Sequence, residues 1–300
     1  VRVRNDRWPS QAQAVGRAAR VLSNMMPPNV ETFDVVLVES GMPVTSVALN
    51  RSDLIALDVT PDNAWRMLSR TRITDAAGRD RTGETPGVYP EFDYGLSPYL
   101  STSFFDPDEP VRYDIGVQLD ASYTPRPGVV LSARFRQPLT GNLDEENREN
   151  TSILPRVRSD AQIYARESEF ELNHLTAEYF FRPAPDVFGR VTAGYLEAMY
   201  GGVSGELLWY PVDSRVALGA EVNYARQRDF DMLFGFRDYE TVTGHASAYL
   251  DMGDGYLGQV DVGRYLAEDW GATFRLAREF NNGVSVGAFF TLTDVPFEDF

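Results

Sequence analysis

The sequence predicts a mainly β fold, an antiparallel transmembrane β-barrel of about 11–12 strands that is incomplete within this chain, preceded by a small α/β module. Three observations predict it: long period-two alternation, connections that alternate between tight turns and long charged loops, and a polar strand face too rich in charge for a dry core. The stretch VRYDIGVQLDASYT, residues 111–124, shows the first. It sets Tyr113, Ile115, Val117, Leu119, Ala121 and Tyr123 on one side of an extended chain and Arg112, Asp114, Gln118, Asp120 and Ser122 on the other. From Tyr113 to Tyr123 such a strand, tilted near 40°, rises about 25 Å, the height of the apolar band on outer-membrane barrels.

Residues 1–70 read as the module, expected in the periplasm. Ser10 is a plausible N-cap for a helix whose face is Ala14, Ala18, Val21, Leu22 and Met25, and Pro27–Pro28 ends it. Residues 32–51 give two β-branched runs joined by Ser-Gly-Met-Pro, a hairpin. TPDNAWRML reads as a second helix with Thr60 as its cap and Pro61 at its first position. Residues 71–91, polar and rich in Gly and Pro, read as a linker.

Residues 92–300 read as the barrel, with strands at 92–105, 111–124, 129–138, 168–182, 187–198, 200–210, 214–226, 238–251, 256–264, 269–280 and 284–293, and no helix. PRPG, PAPD, PVDS, MGDG and NNG join them at one end, the periplasmic one; residues 139–167, 227–238 and 265–270 join them at the other, with DPDEP and MYGG as short exceptions. On this reading the apolar faces meet lipid and the polar faces line a hydrated lumen. The end at Phe300, with Pro296, Asp294, Glu298 and Asp299 breaking the alternation, reads as an extracellular loop cut short.

Composition narrows the functional classes. A net charge of −16 argues against nucleic acid, which needs a basic face. Cysteine is absent, removing disulfides, thiolate metal sites and cysteine nucleophiles; all 28 basic residues are arginine. No apolar run is long enough for a transmembrane helix, which leaves barrels open. The chain opens on VRVRND, so any secretory leader is expected upstream or removed.

AGYLEAMYGGVSGELLWYPVDSRVALGAEVN, QRDFDMLFGFRDYETVTGHASAYL, VGRYLAEDWGATFRLAREFNNGVSVGAFFTLT and LPRVRSD, with the earlier FDVVLVESGMPVTSVALNRSDL, resemble the YjbH family of Gram-negative envelope proteins. The resemblance covers most of the chain. It implies an association with exopolysaccharide and capsule production, an outer-membrane and lipid-anchored protein with periplasmic modules between barrel segments, and a chain that continues beyond DVPFEDF. No lipid-attachment cysteine lies in this sequence.

No catalytic or metal signature stands out, and no cofactor is expected. His174 and His245 lie in separate strands and make a metal pair only if those strands meet. Glu197 and Glu206 flank MYGG and could serve as the paired carboxylates of a glycoside hydrolase; alternatively Glu206 pairs with Arg190. Lumen-lining candidates are Arg112, Asp114, Arg134, Arg136, Arg190, Glu206, Glu221, His245, Tyr249, Asp261 and Arg275, which either bind a passing polar chain or knit the lumen shut. Extracellular-loop candidates for polymer contact are Arg226, Arg228, Arg237, Arg264, Glu268, Asp269 and Trp270. The expectation is a non-enzymatic outer-membrane protein serving secretion or surface assembly of exopolysaccharide, with polysaccharide, outer-membrane lipid and other periplasmic export proteins as partners. A barrel-embedded hydrolase or modifying enzyme, and a structural module docking other export components, are the alternatives.

Overall fold

The structure, a computed structural model, describes residues 1–79, 87–104, 109–145, 155–280 and 282–296. The first unit holds β1 (Arg2–Val3), α1 (Gln11–Met25), β2 (Thr32–Glu39), β3 (Met42–Asn50), α2 (Arg51–Leu57), α3 (Asn63–Arg70) and β4 (Arg72–Asp75). The strands pair in the order β1-β2-β3-β4. Ser10 caps α1, its hydroxyl accepting from the Gln13 amide at 3.2 Å. The α1 face packs Val15 and Ala19 onto Val35, Leu37, Val47 and Leu49 of the hairpin, each buried. Each Val and Leu among them contributes roughly 1.5–3 kcal/mol, and truncating Leu49 to alanine would cost about 2–5 kcal/mol.

Three expectations for this unit need correcting. The cap of α3 is Asp62, while the Thr60 hydroxyl donates to the Leu57 carbonyl at the end of α2. Helix α2 was not foreseen, because seven residues are too few to establish a period. The stretch expected to be linker from 71 opens with β4, four residues made a strand by pairing with β3 rather than by their own pattern. Residues 80–86 of that stretch lie outside the described residues, as do Phe105 and Glu298 to Phe300.

Among the described residues the second unit is one antiparallel sheet of eleven strands in sequence order. They are β5 (Glu91–Phe104), β6 (Val111–Arg126), β7 (Val129–Gly141), β8 (Glu171–Ala184), β9 (Val187–Tyr195), β10 (Tyr200–Trp209), β11 (Val216–Arg228), β12 (Phe236–Gly253), β13 (Tyr256–Arg264), β14 (Trp270–Glu279) and β15 (Ser285–Thr293). Every expected strand has its counterpart. The sheet is open: β5 and β15 do not pair with each other, so the expected wall is present and its closure is not. One further helix, α4 (Ala161–Glu167), with a 3-10 turn at Leu143–Glu145, interrupts the region expected to be free of helix. No helix among the described residues is long and apolar enough to cross a membrane, which says nothing about strands.

The sheet is inside out relative to a soluble one. Ile115, Leu119, Leu131, Val191, Val203, Leu207, Leu218, Val222, Val242 and Leu276 are exposed, whereas Arg112, Thr192, Ser204, Thr243 and Thr273 on the opposite face are buried. The sheet also curls around its polar face. A cavity of about 360 Å³ touches Ser132 on β7 and Glu221 on β11, positions about 19 Å apart on a flat sheet at 4.7–4.9 Å per strand.

The module sits at the tight-turn end. Ser40 and Gly41 close the β2–β3 hairpin with φ of 49° and 77°, a two-residue turn whose positive dihedrals follow the strand twist. This tip meets the β6–β7 turn, where the Gly128 amide donates to the Ser40 carbonyl at 3.1 Å. A Cβ on Gly41 would strike the backbone of Pro127 and Gly128. Arg182 of β8 donates to the carbonyls of Pro43 at 2.7 Å and Val44 at 3.1 Å, and pairs with Asp75. Burial opposes ionisation of Asp75, but Arg182 and the amides of Ala77 and Asp186 outweigh it and hold the carboxyl below the usual carboxylate range.

Candidate functional site: the polar interior of the sheet

Strand alternation delivers one row of polar side chains per strand to the enclosed face, and antiparallel register lines those rows up. Arg190, Glu206, Glu221 and His245 are successive cross-strand neighbours on β9 to β12. Arg190 reaches Glu206 at 2.7 Å, the pairing weighed in the sequence, and Glu178 at 3.8 Å; His245 Nδ1 meets Glu221 at 3.0 Å. On β6 and β7, Arg134 donates to Asp120 at 2.6 Å and Arg136 to Gln118 at 2.8 Å, with its guanidinium 4.7 Å over the Tyr99 ring. Tyr99 donates to Asp114 at 2.6 Å, and Arg112, nearly fully buried, to the Asn142 carbonyl at 2.9 Å. On β12 to β14, Asp261 accepts from Ser247 at 2.6 Å and from Gln259 at 2.9 Å, and Arg275 reaches Gln259 at 3.4 Å. Tyr249 lies opposite Ala217 and Gln259. Of the eleven lumen candidates only Arg275, beside the edge strand β15, is exposed.

A cluster of buried side chains packs at the loop end. Tyr164 of α4 packs with Met199, Tyr200, Ala225 and Met232, and its hydroxyl donates to the Arg228 carbonyl at 2.6 Å. Burial pushes the Tyr164 phenol up to about 12. Arg228 corrects an expectation. It was expected at the surface, yet it is 0% exposed, its guanidinium 4.4 Å over the Tyr195 ring and donating to the carbonyls of Leu172 at 2.8 Å, Met232 at 2.6 Å and Glu197 at 2.9 Å. It is the stitch that ties the loops of β8, β9 and β11 together. Of the other loop candidates, Arg226 donates to the Arg237 carbonyl at 2.8 Å, Arg237 lies 4.0 Å over Phe230, and Arg264 pairs with Glu268 at 3.2 Å. Asp269 receives the Tyr265 amide at its carbonyl, and the Trp270 side chain stands exposed beside it.

The carboxylate pair weighed for hydrolysis does not assemble. Glu197 is held by Arg158 at 2.6 Å in the loop before β10, whereas Glu206 lies six residues down that strand, about 20 Å away. Paired glycosidase carboxylates stand roughly 5–9.5 Å apart. His174 neighbours Arg134 and His245 neighbours Glu221, with three strands between them. No group of three or more metal-ligating side chains forms among the described residues.

Sequence reasoning passed over part of the interior. Thr176, Glu178, Thr192, Ser204 and Asn223 line the 360 Å³ cavity with His174, Arg190 and Glu221. Continuing the alternation along β8 to β11 would have found them. A second cavity of about 240 Å³ shares Leu196 and Asn223 with the first and adds Tyr200, Thr243, His245 and Tyr265. No periodicity announces it, because Tyr265 and Leu266 come from a loop.

Two comparisons bear on this geometry. The family model named YjbH, described as "Exopolysaccharide biosynthesis protein YbjH", matches residues 1–300. The chain is also 30% identical over 307 residues to a protein of Escherichia coli (strain K12) named "Uncharacterized lipoprotein YjbH". That match takes in 98% of this chain and 43% of the relative, so the chain spans less than half the relative's length.

Proposed function

The chain belongs to the YjbH family of exopolysaccharide biosynthesis proteins, and from that premise we propose that it forms part of an outer-membrane β-barrel that takes part, without catalysing a reaction, in secreting or assembling exopolysaccharide. One observation carries the reading: the sheet exposes its aliphatic face and encloses its charged one. In water that arrangement forfeits the burial of every outward Leu, Val and Ile; against hydrocarbon it is the stable one. Outer-membrane lipid is then the partner of the outward face, and a hydrated glycan the partner of the interior.

Polarity across the membrane follows from the connections. The module rests against the short turns, as a periplasmic domain would, and is positioned there to meet other export proteins; α4 and the longer loops lie at the exterior end. The relative's printed name, a lipoprotein, suits an envelope location.

Reconstitution tests the reading. The full-length protein should insert into vesicles of outer-membrane lipid, migrate faster on unheated than on heated gels, and protect strand peptides of β6 to β14 from protease. A full-length protein that stays monodisperse without detergent and leaves those vesicles empty would refute it.

A further inference from the structure

The two interior cavities meet at Leu196 and Asn223, just beneath the cap formed by α4. Each is small, about 360 and 240 Å³, and together they fall within the range of ligand pockets. Their walls carry polar atoms that nothing among the described residues satisfies. Tyr200 is 2% exposed and its hydroxyl has no partner among the described residues; the same holds for His245 Nε2. Buried groups of this kind are costly when left unpaired, so their presence calls for a complement.

The complement can be specified. His245 Nδ1 is committed to Glu221 at 3.0 Å, and with the proton on Nδ1 the opposite nitrogen accepts. The Tyr200 hydroxyl can donate or accept. Asn223 and Thr243, themselves joined at 3.2 Å, add amide and hydroxyl groups, and the rings of Tyr200 and Tyr265 with Leu196 supply apolar surface for C–H faces. Donors, acceptors and apolar ring surface on one wall suit a pyranose, which offers hydroxyls at its rim and C–H groups on its faces. Charge selects among pyranoses: Glu178, Glu197 and Glu221 line the cavities, and the cation among them, Arg190, is already engaged by Glu206. Glu197 has Arg158 to itself at 2.6 Å, but Glu178 shares Arg190 with Glu206 and Glu221 meets only His245 among the described residues, so an acidic sugar would face more carboxylate than cation.

We infer that the joined cavities bind a neutral sugar unit of a glycan chain, with Tyr200, His245 and Glu221 recognising its hydroxyls. This rests on the reading of the interior as a hydrated lumen. The test titrates the full-length protein in detergent, by calorimetry, with neutral tetrasaccharides of glucose, galactose, mannose and N-acetylglucosamine, and with tetragalacturonate as the acidic comparator. At least one neutral tetrasaccharide should bind, and Tyr200→Phe, which removes one oxygen from an intact ring, should weaken it about tenfold, as should Glu221→Gln. Both variants should keep the gel mobility of the folded protein. Absence of binding by all four neutral sugars, tighter binding of tetragalacturonate, or unchanged affinity in Tyr200→Phe would overturn the inference. A protein that inserts into vesicles yet binds no sugar loses this inference alone; one that fails to insert loses the reading beneath it.

Discussion

Replacing Arg182 by methionine should release the α/β module from the sheet without unfolding either. The side chain is 7% exposed, and it donates to two carbonyls of β3 as well as to Asp75, itself 16% exposed. Methionine keeps the packing against Phe188, over which the guanidinium lies at 4.2 Å, and deletes the charge. Removing one partner of a buried pair costs about 3–5 kcal/mol; because Asp75 keeps the Ala77 and Asp186 amides, we take about 3 kcal/mol, roughly a hundredfold rise in the undocked population. Amide hydrogen exchange reads this directly. The Gly128 and Asp186 amides, which donate across the junction, should exchange about a hundredfold faster, while amides within the β2–β3 hairpin should not change. Exchange at Gly128 within about threefold of the wild type would refute the argument. The sign with pH follows from the lowered Asp75 pKa: the contribution is fully present above the unfolded carboxylate's value near 3.9 and is lost as pH falls through the lower folded value. Docking should therefore be indifferent between pH 6 and 8 and loosen only in acid.

Other outcomes follow from the same geometry. Arg228→Met should strip the guanidinium donor from the carbonyls of Leu172, Glu197 and Met232, of which Met232 keeps the Leu172 amide, and destabilise the loop end by about 3 kcal/mol, measured as faster proteolysis within residues 155–170 and 229–235; Arg228→Lys should not rescue it, since one ammonium cannot span the fork. Val222→Arg, on the outward face and 62% exposed, should lower the stability of the vesicle-inserted protein by about 2–4 kcal/mol in urea titrations, and an unchanged midpoint would argue that this face never meets hydrocarbon. Tyr164 should be among the last phenols to ionise. Its raised pKa contributes stability below the ordinary tyrosine value near 10 that is lost as pH climbs toward about 12, so an absorbance titration of Tyr164→Phe should lose one late-titrating phenol. Glu197→Gln and Glu206→Gln should leave polymer export unchanged if the protein is not an enzyme.

Alternation was legible because it is a local property. In β6 each side chain declares its face by parity, and the neighbours in register inherit the assignment, which is how Arg190 and Glu206 could be paired on paper. Helix α4 was not legible: AQIYARE offers one buried aromatic in a charged loop, and only packing against Met199 and Met232 fixes it. Arg228 misled for a related reason. In a stretch reading QRDFD an arginine is ordinarily solvated, and nothing local shows that five carbonyls converge on it. The separation of Glu197 from Glu206 was hidden differently, since MYGG reads as a turn whose residues supply the first rungs of β10 instead.

The meeting of Ser40–Gly41 with Gly128 has a consequence for biogenesis. Gly128 in turn receives the Phe180 amide at its carbonyl, so the perch for the hairpin tip is complete only where β7 and β8 are zipped together, although the tip is synthesised first. Seating of the amino-terminal unit is thereby coupled to the joining of this sector of the wall.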